Sequence, residues 1–375
     1  MVISARGRLN GATEDERFMQ LALQAASAAE YATSPNPMVG AVVVKDGEVI
    51  AVGSHRRAGD RHAEVEALLS AGERAQGAQL FVTLEPCAHT GRTPACTESI
   101  VAAGINRCIV ATVDPSRKVS GRGLAALRDA GIDISVGVCE REARRLNEFY
   151  IKHALTGLPF ATAKLAMSLD GRSATHAGDS QWITAEPARA RGHELRRDHD
   201  AILVGANTVL RDDPRLTARL EDAGRSPLRV ILDSTMRVGV RAKVFDKSVG
   251  SVLLATTERA RPERVKEFED EGIPVVVLPA RDGQVGIEGV LGYLGRRNIL
   301  SVLIEGGATV QGSAFDAQLV DKVVAFISPR LIGGAAAPGA VGGRGAAALL
   351  AAPELSEVRM ERVGPDIVVN GYCCP

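Results

Sequence analysis

His62, Glu64, Cys87 and Cys96 together supply one imidazole, one carboxylate and two thiols, a set that can hold a metal ion and move protons beside it. Zinc takes nitrogen and sulfur donors in tetrahedral geometry, and three protein ligands leave the fourth corner for water. The reading is therefore an ion on His62, Cys87 and Cys96, with Glu64, two residues past the His, left free as a proton carrier. A lone Cys is more often a small buried hydrophobe than a ligand, and Cys108 and Cys139, in apolar strand-like runs, fit that plainer description. Cys87 and Cys96 instead flank a polar segment containing Thr90, Gly91, Thr93 and Pro94.

This order of residue types is what zinc deaminases use: His-x-Glu, then Pro-Cys-x-x-Cys, with the Glu as general acid and base. Here eight residues, Ala88 to Ala95, separate the two thiols instead of two. A purely structural zinc would need a fourth ligand, for which His89 is the nearby candidate, so that alternative stays open. A second cluster lies far downstream. Ile304-Glu305-Gly306-Gly307-Ala308-Thr309-Val310-Gln311-Gly312-Ser313 reads as a strand entering a Gly-led helix start, where backbone N–H groups bind anions such as dinucleotide phosphates. It matches neither G-x-G-x-x-G nor the P-loop, and an ordinary strand-to-helix turn reads equally well. Asp212-Asp213-Pro214 is either an Asp-rich turn or part of a site. Trp182, the one Trp of the chain, is either core or a ring-stacking wall.

The elements that must position these groups alternate. Thr13-x-x-Glu16 is a capping box opening a helix to about Glu30. Val39 to Val44, Asp46-Gly47 and Val49 to Val52 read as a hairpin with a type I′ turn. Helices follow at His62 to Ser70 and Pro94 to Ala103, strands at Leu80 to Leu84 and Cys108 to Val113. A helix near Arg122 to Ala130, a strand at Ile132 to Val138 and one charged helix from about Glu140 to Leu155 complete the first half. His62 and Glu64 then fall in one helix's first turn and Cys96 at the start of another, where positive helix ends favour thiolates.

Gly157-Leu158-Pro159 reads as a boundary, giving domains 1–156 and 157–375, in keeping with 375 residues exceeding one growing core. The second half restarts with a strand at Phe160 to Met167 and a helix after Thr184, then alternates again through strands at Ala201, Leu228, Ser251, Val275 and Leu300. Its tail, Val323 to Ile327, Leu355 to Val363 and Ile367 to Tyr372, reads as an antiparallel finish, and Gly333 to Pro353, rich in Gly and Ala, as a mobile loop. Both halves are α/β.

Bulk properties narrow the partners. No apolar run approaches the roughly 20 residues a bilayer span needs, Met1 to Thr13 lacks a secretory h-region, and six cysteines form no disulfide framework. A cytoplasmic location and no membrane partner are expected. The first 155 residues carry 18 basic and 18 acidic side chains and the remainder 27 of each, so the basic footprint of a nucleic-acid enzyme is absent and a small-molecule substrate is expected. Homo-oligomerisation stays open.

Taken together the chain resembles, over nearly its full length, the bifunctional riboflavin-biosynthesis deaminase/reductase family. The first half is similar through Pro35-Asn36-Pro37-x-Val39-Gly40, Gly53-x-His55, Gly59-x-x-His62-Ala63-Glu64 and Glu85-Pro86-Cys87-x-His89-x-Gly91-Arg92-Thr93-Pro94-x-Cys96, whose long spacer is a mark of that family. The second half is similar through Lys164-Leu165-Ala166-x-Ser168-Leu169-Asp170-Gly171, Ser180-x-Trp182-Ile183, Leu203-Val204-Gly205-x-x-Thr208-Val209, Asp212-Asp213-Pro214-x-Leu216-Thr217-x-Arg219 and Glu305-Gly306-Gly307. Ala95, Arg92 and Glu66 depart from the usual Pro, Lys and His.

The resemblance implies a cytidine-deaminase-like three-layer α/β/α domain, a dihydrofolate-reductase-like α/β domain, zinc, NADPH and phosphorylated pyrimidine substrates. It implies Glu64 as the catalytic residue and zinc on His62, Cys87 and Cys96, with Asn36, His55, His89 and Arg92 at the substrate. For the second half it implies NADPH contacts at Ala166, Trp182, Thr208, Asp212, Ser234, Gly307, Ala308, Thr309, Val310, Gln311, Gly312 and Ser313. Ser180, Arg196, Leu216, Arg219 and Glu305 would meet substrate, with Arg196 and Arg219 as phosphate clamps. For Lys164 a catalytic or orienting role stands beside the plainer reading, an exposed strand-end Lys that is merely solvated.

Overall fold

A computed structural model describes residues 13–88, 95–116, 119–220 and 226–373, in two units, Met1–Thr156 and Gly157–Pro375. In the first unit the capping box forms: the Thr13 hydroxyl accepts from Glu16 N, and the Glu16 carboxylate accepts from Thr13 N at 2.7 Å. It opens α1 (Glu14–Ser27), and such a cap is worth about 1 kcal/mol. The elements that follow are β1 (Gly40–Lys45), β2 (Glu48–Ser54), α2 (Ala63–Ala71), β3 (Gln79–Val82), α3 (Cys96–Ala102), β4 (Arg107–Val110), α4 (Arg122–Asp129), β5 (Asp133–Val136), α5 (Glu140–Leu146) and α6 (Glu148–Thr156). Asp46 and Gly47 both take positive φ between β1 and β2, as a type I′ turn requires.

The sheet order is β2-β1-β3-β4-β5, antiparallel around β1 and parallel from β3 to β5. Alternation along the strands sorts the core into two layers. Ala41, Val43, Leu80, Val82, Cys108 and Val110 meet Ala67, Ile100 and Leu127 of α2, α3 and α4; Val42, Val44, Phe81 and Ile109 meet Phe18, Met19 and Ala143 of α1 and α5. This is the expected three-layer α/β/α sandwich, and each fully buried Leu, Ile or Phe in it contributes roughly 1.5–3 kcal/mol. One element differs. The helix read as continuous from Glu140 breaks at Asn147, because that buried side chain leaves the helix pattern to bond Met38 on both sides, accepting from its N–H and donating to its carbonyl at 2.8 Å each.

The second unit runs β6 (Phe160–Ser168), α7 (Glu186–Asp198), β7 (Ala201–Gly205), α8 (Ala206–Asp212), β8 (Leu228–Leu232), β9 (Val252–Thr256), α9 (Pro262–Asp270), β10 (Val275–Val277), the short hairpin β11 (Ala280–Arg281) and β12 (Gln284–Val285), α10 (Ile287–Gly295), β13 (Ser301–Ile304), α11 (Ala308–Asp316), β14 (Lys322–Ser328), β15 (Leu355–Val363) and β16 (Asp366–Cys373). Its main sheet has the order β10-β9-β8-β7-β13-β6-β14-β16-β15. Pairings are parallel from β10 to β14 and antiparallel at β16 and β15, the finish the sequence predicts. α10 and α11 cover one face, while α8 and α9 cover the other. The chain leaves β6 in one direction through β7 to β10, then returns through β13 to β14, so the strand order reverses beside β13. Open α/β sheets bind ligands at the carboxyl ends of strands at such a reversal.

Residues 333–353 lack regular structure apart from one short helical turn, yet they are anchored. Gly342 N donates to Ala308 O at 2.9 Å, and Arg344 N and Gly345 N donate to the Asp316 carboxylate. The expected mobile loop is tied to α11.

Candidate active sites

His62 is the N-cap of α2, Glu64 lies in that helix's first turn and Cys96 is the first residue of α3. α2 can bring His62 this far in because Gly53 of β2 has no side chain: a Cβ there would run into the Ala63 carbonyl oxygen and the Ala67 N–H. The donor atoms of His62, Cys87 and Cys96 all lie within 4.8 Å of one another. His62 Nδ1 is 3.1 Å from Cys96 Sγ and 3.7 Å from Cys87 Sγ, and Cys96 N donates to Cys87 Sγ at 3.5 Å. A tetrahedral zinc, with Zn–S of about 2.3 Å and Zn–N of about 2.0 Å, separates its ligands by roughly 3.5–3.8 Å, so the donor set fits that ion. The alternative fourth ligand, His89, lies outside the described residues, as does Arg92.

Electrostatics follow the crowding. The Cys87 thiol is drawn down to about 4, first by its hydrogen bond with Cys96 and further by His62. Cys96 is pushed up by the same pairing and by burial. His62 is raised, chiefly by its hydrogen bond to Cys87. Glu64 is 3% exposed, and burial pushes its carboxyl up. Asn36 and His55 stand beside this cluster: the His55 ring is 5.6 Å from that of His62, centroid to centroid. His55 Nδ1 faces the Arg61 carbonyl at 3.0 Å and Nε2 faces Asn36 Nδ2 at 3.1 Å. A carbonyl only accepts, so Nδ1 carries the hydrogen and Nε2 accepts from the amide. Burial lowers the His55 pKa, in accord with a neutral ring. Cys108 is fully buried in β4 and takes no part.

In the second unit a cavity of about 1150 Å³ opens at the carboxyl ends of β6, β7, β8 and β13. It gathers residues far apart in sequence: Ala166, Ser180, Trp182, Thr208, Asp212, Leu216, Arg219 and Ser234 all line it, as do Gly307 to Gln311 and Ser313. Gly312 does not. It faces the backbone of Gly342 and Gly343, where a Cβ would not fit, so its place in the predicted NADPH contacts becomes one of packing. Trp182 is 58% exposed, with the Arg189 guanidinium 4.8 Å from its ring centre, which removes the core reading. Both residues of the acidic turn line the cavity: Ser180 Oγ lies 3.5 Å from Asp212, and Asp213 also accepts from Lys243 N. Gly307 N donates to Thr208 Oγ1 and Val310 N to Gly307 O, and no side chain caps α11, whose first residues Ala308 and Thr309 line the cavity.

At the cavity floor Glu305 is 7% exposed by side chain and meets Arg196 in a two-pronged pair, Nε–Oε1 2.5 Å and Nη2–Oε2 2.8 Å, with Lys164 Nζ at 3.9 Å. Burial alone would raise the Glu305 carboxyl, but Arg196 and then Lys164 outweigh it and hold it at about 2. Burial lowers the Lys164 pKa. Two expectations change here. Lys164 is interior to β6 and largely buried rather than a solvated strand end. Arg196 gives its fork to Glu305 and its third nitrogen to Thr217 O, so it presents no free fork to a phosphate. His193 goes unnoticed in the sequence, where nothing flags it; it lines the cavity and lies 3.4 Å from Arg219 Nε.

One unit thus has the build of a zinc deaminase and the other that of a dinucleotide-dependent reductase. Residues 12–112 match the cytidine and deoxycytidylate deaminase zinc-binding region, and residues 159–369 match the RibD C-terminal domain. The riboflavin biosynthesis protein RibD of Aquifex aeolicus is 41% identical over 95% of this chain and 97% of its own length. That of Escherichia coli is 39% identical over 95% and 99%. Among solved structures, RibD from Acinetobacter baumannii, form 1, superposes with a TM-score of 0.88 at 34% identity over 96% of this chain and 99% of that one. The Thermotoga maritima diaminohydroxyphosphoribosylaminopyrimidine deaminase/5-amino-6-(5-phosphoribosylamino)uracil reductase gives 0.84 at 38%, over 96% and 99%. The chain belongs to the RibD family and is a bifunctional deaminase and reductase of riboflavin biosynthesis that uses zinc and NADPH.

Proposed function

We propose that the first unit hydrolytically deaminates 2,5-diamino-6-ribosylamino-4(3H)-pyrimidinone 5′-phosphate, and that the second reduces the ribosyl group of the product, 5-amino-6-(5-phosphoribosylamino)uracil, to ribityl. The observation that carries this reading is the gathering of His62, Cys87 and Cys96 around one point beside a buried Glu64. Zinc, when bound there, brings the pKa of a water toward about 7. Glu64 takes a proton from the attacking water and passes it to the ring nitrogen, then takes the second proton from the hydroxyl now on carbon and hands it to the amino group, which leaves as ammonia as the carbonyl forms. Asn36 and the neutral His55, locked to each other and to Arg61 O, orient the pyrimidine. His89 and Arg92, outside the described residues, are assigned to substrate as well, Arg92 to its phosphate.

In the second unit NADPH, when bound, supplies hydride for C1 of the sugar. The uncapped start of α11, at Ala308 and Thr309, takes its phosphates, and Trp182, Thr208, Asp212 and Ser234 hold the remainder. Of the two expected phosphate clamps, Arg219, beside His193, keeps that role. Arg196 instead fixes Glu305, whose remaining lone pairs receive sugar hydroxyls. Lys164 gives a proton to the ring oxygen that is released as C1 gains hydride. The substrates are small molecules: 45 basic and 45 acidic residues balance. Among the described residues no helix is long and apolar enough to cross a membrane, and a cytoplasmic location is our assignment.

Purified chain given the diaminopyrimidinone ribosyl phosphate should release ammonia without NADPH, and should then consume nicotinamide absorbance once NADPH is added. Ammonia from cytidine or tRNA, with none from the pyrimidine phosphate, would contradict the assignment.

A further inference from the structure

Glu85 has no part in the chemistry above, yet its surroundings are unusual for a carboxylate. It is 4% exposed and stands between β3 and the ligand Cys87, with Pro86 the one residue separating it from that Cys. Oε2 accepts from Asp114 N at 3.2 Å and Gly121 N at 3.0 Å; Oε1 accepts from Gly123 N at 2.9 Å and Leu124 N at 3.4 Å. Three of these four donors are the N-cap and first-turn N–H groups of α4, which an isolated helix leaves unsatisfied. The α4 N-cap is Gly121, which has no side chain to supply. Glu85 therefore caps α4 from another element, and the helix's positive end balances the buried charge.

This docking sets the approach to Cys87. Pro86 has no N–H with which to anchor itself, so the segment's hold on the sheet falls to Glu85, whose own N–H donates to Thr112 O at 3.0 Å. Gly123 packs so closely beneath the Pro86 carbonyl that a Cβ would overlap its oxygen. On its other side Cys87 is fixed to α3, since its carbonyl accepts from Thr97 N at 3.2 Å. Cys87 is thus held between α3 and the Glu85-Pro86 seat on α4.

We propose that Glu85 is the positioning residue of the metal centre: by capping α4 it fixes Cys87 at ligand distance without touching the ion itself. The inference rests on the zinc reading given above. An acid is required because each oxygen faces two N–H donors, and the amide group of a Gln would set donor against donors. Groups that orient metal ligands from behind typically change metal affinity or activity by about 10- to 100-fold when replaced.

Glu85→Gln holoenzyme should accordingly release zinc to a chromogenic chelator about 10- to 100-fold faster than the unaltered protein. Its cobalt-substituted form should show a weakened thiolate-to-cobalt charge-transfer band. Turnover in deamination should fall with little change in KM for the pyrimidine phosphate, while NADPH-dependent reduction in the same chain stays intact. Gly123→Ala tests the same seat from the α4 side with Glu85 in place, and serves if Glu85→Gln fails to fold; it too should quicken zinc release. Unchanged zinc release and an unchanged cobalt spectrum, in Glu85→Gln or, should that variant not fold, in Gly123→Ala, would make Glu85 a helix cap only and overturn the proposal, whatever happens to thermal stability. Unaltered protein that holds no zinc would overturn both this proposal and the metal reading beneath it.

Discussion

The two catalytic units reach opposite solutions with similar α/β material. In the first, three donor atoms within 4.8 Å and one buried carboxylate form the reactive core. In the second, a cavity of about 1150 Å³ is lined from the ends of four strands and floored by a buried triad of Lys164, Arg196 and Glu305. A metal concentrates chemistry at a point, so the protein has only to place ligands and one proton carrier. A dinucleotide carries its own reactive atom on a long body, so the protein must build a trough and keep charges fixed inside it.

Lys164→Met is the sharpest way to divide the units. Reduction of the deaminated pyrimidine should fall by on the order of 10²- to 10⁴-fold, the range for losing a positioned proton donor, while ammonia release is unchanged; equal loss of both would erase the distinction. Glu305→Gln should lower the stability of the second unit by about 3–5 kcal/mol in denaturant unfolding, because it strands two buried cations. The same carboxylate gives a pH signature. Held at about 2 in the folded state and near 4.3 in the unfolded chain, it stabilises fully above the unfolded value, and that contribution disappears as pH falls toward 2. The stability gap between native and Glu305→Gln protein should therefore narrow through that window, and a gap independent of pH would count against the triad. The smallest effect belongs to Thr13→Ala, expected to cost about 1 kcal/mol through loss of the α1 cap, visible in thermal unfolding of the first unit and in neither activity.

What the sequence disclosed follows the same division. The metal centre was legible because His62, Glu64, Cys87 and Cys96 are rare types in a chemically restrictive order; the alternation of elements around them showed an α/β domain, and its three layers came from the family resemblance. The helix break at Asn147 was not, since it depends on Met38, more than a hundred residues away. Nor was the Arg196–Glu305 pair, whose members are 109 residues apart; each looked like a free charge, and Lys164 like a solvated one. Glu85 directly precedes Pro86-Cys87 in the sequence, but its purpose depends on N–H groups of a helix that begins 37 positions later. Residues 333–353 looked mobile by composition, yet residues between 333 and 345 are hydrogen-bonded to Asp170, Gly171, Arg172, Ser173, Ala308 and Asp316, contacts that no local composition announces.

Deamination depends on Glu64 carrying protons at a metal site that works independently of the reductase. Glu64→Gln protein, assayed at once for bound zinc, ammonia release and NADPH consumption on supplied deaminated product, should keep its metal and its reductase activity while deamination falls by on the order of 10²- to 10⁴-fold. Deamination at the native rate with zinc in place would contradict it.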